Sequence, residues 1–335
     1  MFFSGKNILL IGGTGTIGQG LLKALLPQNP NVIRIFSRDE HKQFMLQQEY
    51  KEYPNIRYLI GDVRDYNRVL RAMQDIDIVF HMAALKHVPA CEYNPFEAVQ
   101  TNIIGTQNVI SAAMQLNVER VIVTSTDKSI NPTNTYGATK LVVERLVVAA
   151  ESSKGTARTV FAGVRFGNVM GSRGSVIPLF KSQLLARKPL TITDPSMTRF
   201  MMTQQQAVQL TMEAAQLAKG GELFVLKMPV IRLADLVTVL QEEVSLKYGV
   251  SQEEMKTEII GLRAGEKMYE ELMTYDESKQ ALELERMFVI LPLNMERAYT
   301  YPNARKAPVG SYSSHDIDPI DKEELRNWLR QEELI

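Results

Sequence analysis

A doubly wound parallel α/β sheet, followed by a smaller mixed α/β part, is the fold class that these 335 residues predict. Two observations carry the reading. Six apolar runs of strand length alternate with helix-period segments, and the first of them passes directly into a glycine-rich turn. The strands are expected at Asn7–Ile11, Val32–Ser37, Ile56–Gly61, Ile78–Met82, Arg120–Ser125 and Thr159–Arg165. Between the fourth and fifth, Asn94-Pro95 reads as an N-cap with proline at the first helical position, opening one helix that runs to Leu116. After Arg165 the rhythm breaks into Gly-, Pro- and Arg-punctuated loops, with helices expected near Gln204–Lys219 and Leu233–Tyr248. The boundary is placed after residue 166: residues 1–166 form a dinucleotide-binding part, and 167–335 a mainly substrate-binding part partly interleaved with it. The stretch Gly310–Ile335 carries seven acids against three bases, so its amphipathic segment around Leu325, Trp328 and Leu329 reads as a docked, solvated helix.

Composition excludes several classes. With 45% hydrophobic and 23% charged residues the chain is neither disordered nor fibrous. Lysine plus arginine and aspartate plus glutamate both number 38, which leaves no excess charge for nucleic acid or an anionic membrane. A single cysteine, Cys91, permits no internal disulfide, and neither a signal peptide nor a membrane span is visible. A cytoplasmic location is the expectation, and no residue cluster calls for a metal.

Strand Ile8–Ile11 runs into Gly12-Gly13-Thr14-Gly15-Thr16-Ile17-Gly18, placing Gly12, Gly15 and Gly18 at three-residue intervals before a helix. A pyrophosphate needs this arrangement: a tight turn, close backbone approach, and amide donors at the positive helix end. The second strand ends Ser37-Arg38-Asp39 with Lys42 one turn on. Ser37, Arg38 and Lys42 suit a 2′-phosphate, favouring NADP over NAD, although Asp39 lies one residue beyond the usual ribose-binding acid. The alternative makes Arg38 and Lys42 ordinary surface charges. Asp62-Val63 fits an adenine edge, and Ala83-Ala84 allows close backbone approach to a cofactor, or simply tight packing.

Tyr136 and Lys140 lie four apart at a helix start, so both leave one face. A phenol with a pKa of about 10 is a poor base at neutral pH, and a neighbouring ammonium lowers that value. A pair on a helix surface is the alternative.

The glycine loop, Tyr136/Lys140 and the Ser125-Thr126 strand end resemble the extended short-chain dehydrogenases/reductases that remodel nucleotide sugars. The runs Ser37–Glu40, Gly61–Asp65, Ala83–Pro89, Ser125–Lys128, Arg165–Val169, Gly171–Val176, Met197–Phe200, Arg263–Lys267 and Ser311–Ser314 resemble the C5-inverting UDP-N-acetylglucosamine 4,6-dehydratases within them. That resemblance implies C4 oxidation, loss of water across C5 and C6, and return of hydride to C6, with Asp127 as acid, Lys128 as base and Thr126 beside them. It implies Lys86 and Asn102 at the cofactor, and Lys86, Asn168, Arg173, Val176, Arg199, Arg263 and Glu266 at the sugar nucleotide. It also implies a homo-oligomer, dimer or hexamer, joined through the helices at Asn94–Leu116 and Thr135–Ser152. A UDP-sugar 4-epimerase needs only the C4 step and is the alternative, and a non-catalytic NADP-sensing protein is a third reading. Lys128 poses a physical problem, because a pKa near 10.4 leaves roughly one neutral amine in a few thousand at pH 7. Its surroundings are expected to depress that value, with burial, Lys140 and Lys86 acting downward and Asp127 upward.

Overall fold

The structure is a computed structural model in which residues 1–172, 174–251, 254–292 and 299–335 are described. Its first half lays down β1 (Asn7–Ile11), α1 (Thr16–Leu25), β2 (Val32–Ser37), α2 (Glu40–Glu49), β3 (Ile56–Ile60), α3 (Tyr66–Met73), β4 (Ile78–His81), α4 (Val88–Tyr93), α5 (Pro95–Ala98), α6 (Gly105–Leu116), β5 (Arg120–Thr126), α7 (Thr135–Ser153) and β6 (Val160–Phe166). The second half adds β7 (Asn168–Val169), α8 (Val176–Leu185), β8 (Leu190–Ile192), β9 (Thr198–Met202), α9 (Gln204–Leu217), β10 (Leu223–Leu226), β11 (Val230–Arg232), α10 (Leu233–Tyr248) and β12 (Thr257–Ile259). It closes with β13 (Glu271–Met273), α11 (Tyr275–Ser278), β14 (Ala281–Glu283), β15 (Met287–Ile290), β16 (Arg305–Lys306), β17 (Tyr312–Ser313) and α12 (Lys322–Gln331).

The main sheet runs β3-β2-β1-β4-β5-β6-β10-β15-β14-β16, parallel through β10 and antiparallel beyond it. This is a Rossmann order, and it reverses between β1 and β4, where the carboxyl ends of the strands open a crevice. Its strands are buried on both faces. Ile8, Leu10, Ile33, Ile35 and Ile122 point into one core with α1 and α9, and Leu9, Ile11, Val79, Val121 and Val123 into another under α3, α6 and α7. Four strands from beyond residue 166 extend this sheet, so the second half is built onto the first. A separate core gathers Ile177, Phe180 and Leu184 of α8, Leu236 and Leu240 of α10, and Leu325 and Leu329 of α12.

Two local outcomes differ from the sequence expectation. The helix expected to run unbroken from Asn94 to Leu116 instead contains a π-helical turn at Val99–Ile104 between α5 and α6. Asn94 does not cap it; its amide donates back to the Ala90 carbonyl at 3.1 Å. The π turn carries Asn102, fully buried, toward the loop after β4, a placement typical of π turns at functional sites. The C-terminal segment docks as expected: Arg330 makes a bidentate pair with Glu243 of α10 at 2.7 and 2.9 Å.

Leu329 has no exposed surface. Leu329→Ala is therefore expected to lower stability by about 2–5 kcal/mol in urea unfolding, through lost burial and a residual cavity. A change within about 0.5 kcal/mol would contradict the docked position of α12.

Candidate functional site

A cleft of about 930 Å³ opens at the crevice and runs from the glycine turn to the loops of the second half. Gly12 sits at φ +83°, and a Cβ there would lie 2.8 Å from the Ala83 backbone nitrogen, so only glycine lets the β1 and β4 loops meet. Gly15 caps α1 in extended conformation with no side-chain hydrogen bond to the first helical amides. Those amides and the helix dipole fit a pyrophosphate. Gly12, Gly15, Thr16, Ile17, Gly18, Ala84 and Lys86 all line the cleft; Thr14 is buried behind the turn, where its carbonyl accepts from Gln19 at 3.0 Å.

At the end of β2, the Ser37 hydroxyl accepts from Gln43 at 2.9 Å, and Arg38 reaches Asp62 at 3.5 Å with half its side chain exposed. Asp62 is also held by Arg64 through its backbone and guanidinium, so its carboxylate sits below the usual range despite partial burial. Val63, beside it, is buried. Asp39 caps α2 by accepting from the Lys42 amide and pairs with the Lys42 ammonium. Asn102 accepts from the Leu85 amide at 2.8 Å and donates to the Leu85 carbonyl and to Thr139. Its amide thus clamps the Ala83–Leu85 loop onto α7.

The reactive residues lie where β5 ends. Asp127 is wholly enclosed: its Oδ1 accepts from Thr126 Oγ1 and from Lys128 Nζ, each at 2.9 Å, while Oδ2 has no partner among the described residues. Lys128 Nζ lies 3.4 Å from Asn168 Oδ1 and 3.7 Å from Glu270 Oε1. α7 packs straight onto this turn, since a Cβ on Gly137 would stand 2.1 Å from the Lys128 carbonyl. A glycine between Tyr136 and Lys140 is what brings Tyr136 beside Lys128.

The electrostatics correct two expectations. Burial acts most strongly on Lys128 and lowers its pKa, but Asp127 and Glu270 outweigh it, so the ammonium is held above its ordinary range. Arg199, and not Lys140 or Lys86, is the strongest cation opposing the two acids. Tyr136 is pushed up to about 12 by burial, and Lys128 and a hydrogen-bond contact with Thr126 pull it down more strongly than Lys140. Lys140 donates to the Thr124 carbonyl at 2.8 Å and is itself pushed down to about 8 by burial, with Glu144 acting upward.

Behind the turn, Glu144 of α7 accepts from Ser125 at 2.6 Å, Ser129 at 2.8 Å, and two Arg165 nitrogens at 2.7 and 2.9 Å. Arg165, 1% exposed, also forks onto Glu277 of α11 at 2.9 and 3.0 Å. Sequence reading assigned neither glutamate a role, nor Glu270, and found no signal for His81. That histidine is kept neutral, near pKa 3, by burial and by Lys140.

Of the residues expected at a sugar nucleotide, Lys86, Asn168, Val176, Arg199, Arg263 and Glu266 line the cleft, and Arg173 lies outside the described residues. Arg199 spends its donors on the carbonyls of Thr198, Lys267 and Met268, holding that segment against β9. The Gly265 carbonyl accepts from Thr133 and Asn134, which fastens the Arg263–Glu266 loop to the start of α7.

A family model described as polysaccharide biosynthesis protein matches residues 8–292. The chain belongs to this family. Its arrangement is that of the short-chain dehydrogenases/reductases. It is 56% identical to Pen from Bacillus thuringiensis, whose crystal structure superposes with a TM-score of 0.95 over the whole of both chains. It is 45% identical over 292 residues to a UDP-N-acetylglucosamine 4,6-dehydratase (inverting) of Campylobacter jejuni, covering 87% of this chain and 84% of that one. A UDP-glucose 4-epimerase of Rickettsia bellii is 40% identical over 335 residues, 98% of this chain and 96% of that one. An uncharacterized membrane protein of Methanocaldococcus jannaschii is 48% identical over 330 residues, 98% and 97% of the two. In the present chain no described helix is long and apolar enough to cross a membrane.

The Lys140 environment gives a pH test. The folded protein releases this proton near pH 8 and the unfolded chain near 10.5, so between those values the unfolded state binds more protons. This group's contribution to stability therefore rises with pH across that window. Urea unfolding of the unchanged protein and Lys140→Met should diverge by about 3 kcal/mol from the lower to the upper limit, the unchanged protein gaining. Parallel curves would contradict the assignment.

Proposed function

We propose that the chain is an NADP-dependent UDP-N-acetylglucosamine 4,6-dehydratase that inverts C5. The observation that carries the reading is the Asp127-Lys128 turn packed against Tyr136: a site for C4 redox chemistry with an acid-base pair beside it. The dinucleotide, when bound along the glycine turn, supplies a hydride acceptor and donor and a positive ring that favours the Tyr136 phenolate. Tyr136 takes the C4 hydroxyl proton, assisted by the Thr126 hydrogen bond and the Lys128 charge. The C4 ketone acidifies the C5 proton, which Lys128 removes; on the reading drawn from the sequence Asp127 is the acid for the departing C6 hydroxyl. On this reading Lys86, Asn168 and Val176 serve the sugar, and Arg199, Arg263 and Glu266 the nucleoside diphosphate, with Arg199 shaping the loop; Arg173, assigned with them, lies outside the described residues. The named activity of the Campylobacter relative supports this reading. The reading includes a homo-oligomer, dimer or hexamer, joined through the π turn with α6 and through α7, where Ile104 of the π turn and Val142 of α7 are exposed.

The 4-epimerase reading rests on the Rickettsia relative and leaves Asp127 and Lys128 without a task. Incubation with UDP-N-acetylglucosamine in heavy water separates the two. Loss of water with deuterium at C5 is expected, and Lys128→Met should reduce it about a hundredfold or more while C4 oxidation persists. Accumulation of a C4 epimer without loss of water would overturn the dehydratase.

NADP is favoured because Asp39 is committed to capping α2 and to Lys42, whereas the Arg38 guanidinium is half exposed at the end of β2. Arg38→Ala is expected to weaken NADP binding about tenfold to a hundredfold in a fluorescence titration and to leave NAD binding unchanged. Equal losses for both dinucleotides would contradict the preference.

A further inference from the structure

Asp127, Lys128 and Glu270 form a cluster of two carboxyl groups around one ammonium, and only one of the two acids reaches the substrate space. Asp127 has no exposed surface and does not line the cleft; Glu270, its side chain 4% exposed, does. Glu270 Oε1 stands 3.7 Å from Lys128 Nζ, and Oε2 is buried with no partner among the described residues. The charged groups facing Glu270 are Lys128 and Asp127 from the turn, Arg199 from β9 and Lys267 from its own segment. Lys128 is already bonded to Asp127 at 2.9 Å, and Arg199 and Lys267 spend donors on backbone carbonyls, Lys267 on Ile130 at 2.8 Å. Two buried acids sharing one ammonium do not both ionise readily, and burial together with Asp127 holds the Glu270 carboxyl above its ordinary range. A carboxyl group biased toward its protonated form in the cleft wall beside the base is a proton donor in position.

We infer that Glu270 is the acid that protonates the departing C6 hydroxyl, with Asp127 as its reserve. The inference rests on the dehydratase reading. The resting cluster holds an ammonium at Lys128, a carboxylate at Asp127 and a carboxylic acid at Glu270. Lys128 passes its proton across the 2.9 Å contact to Asp127 and becomes an amine. The amine takes the C5 proton; as the C6–O bond breaks, Glu270 gives its proton to the oxygen, which leaves as water. Lys128 is then an ammonium again, Asp127 an acid and Glu270 a carboxylate. Lys128 gives a proton to Glu270 and takes one from Asp127, which restores the cluster; C5 then takes up one proton as hydride returns to C6, matching the one that Tyr136 removed from the C4 hydroxyl, so the whole turnover neither gains nor loses a proton.

The test uses the full-length enzyme with NADP and two substrates, UDP-N-acetylglucosamine and its 6-deoxy-6-fluoro analogue, whose leaving fluoride needs little acid assistance. Glu270→Gln is expected to lose water elimination about a hundredfold or more. It should still exchange deuterium into C5 from heavy water, and its elimination of fluoride should stay within about threefold of the unchanged enzyme. Glu270→Asp keeps an acid but withdraws it, and should show the same separation in smaller degree, which preserves the test if the glutamine variant does not fold. Equal loss with both substrates assigns Glu270 a structural role and overturns the inference; so does unimpaired water elimination, which leaves Asp127 as the acid. Failure of the unchanged enzyme to eliminate water overturns the proposed function instead.

Discussion

The buried Arg165 guanidinium is the constraint on which the site is built. A cation at 1% exposure persists only if its desolvation is offset on every side, and Glu144 and Glu277 do this through two bidentate forks. Arg165 comes from β6, Glu144 from the middle of α7 and Glu277 from the short helix α11, far along the chain. One ion network therefore fixes the central strand, the helix that carries Tyr136 and Lys140, and the segment following Glu270. Because Glu144 also accepts from Ser125 and Ser129, the same carboxylate grips both ends of the turn that holds Asp127 and Lys128. Loss of either charge would leave the other buried without its partner, the costly way to break such a pair.

The network also explains why the front of the site has its unusual charge state. With the turn pinned from behind, Lys128 meets Asp127 at 2.9 Å and Glu270 at 3.7 Å. Burial alone would lower its pKa; its two acids reverse that result. A lysine held as an ammonium and a carboxyl group held above its ordinary range form a coupled set, in which a proton moved within the cluster readies both at once. Tyr136 belongs to the same set, because Lys128 and Thr126 are the groups that oppose the effect of its burial.

Much of this was legible in the sequence, for identifiable reasons. Strands buried on both faces leave unbroken apolar runs, so the order of β1 to β6 could be read with errors of about one residue at their ends. The glycine turn was legible because a phosphate cradle constrains residue type and spacing together. The π turn was not, since its cause is the tertiary fit of Asn102 under Leu85, and Asn94-Pro95 imitates a cap. Glu270 sits in Met268-Tyr269-Glu270-Glu271, a string with the look of a solvated surface; only the antiparallel pairing of β13 with β17 carries the neighbouring chain inward. Part of the Lys128 shift was hidden for the same reason, because Glu270, which acts upward together with Asp127, lies more than a hundred residues away.

Transfer of hydrogen from C4 to C6 within one sugar is the consequence that separates the proposed dehydratase from a 4-epimerase on the same fold. The direct measurement is an NMR spectrum of the product formed from UDP-N-acetylglucosamine carrying deuterium at C4. The account predicts the label in the C6 methyl group, with C4 a ketone. Label found again at C4, on a sugar that has kept its C6 hydroxyl, would contradict it.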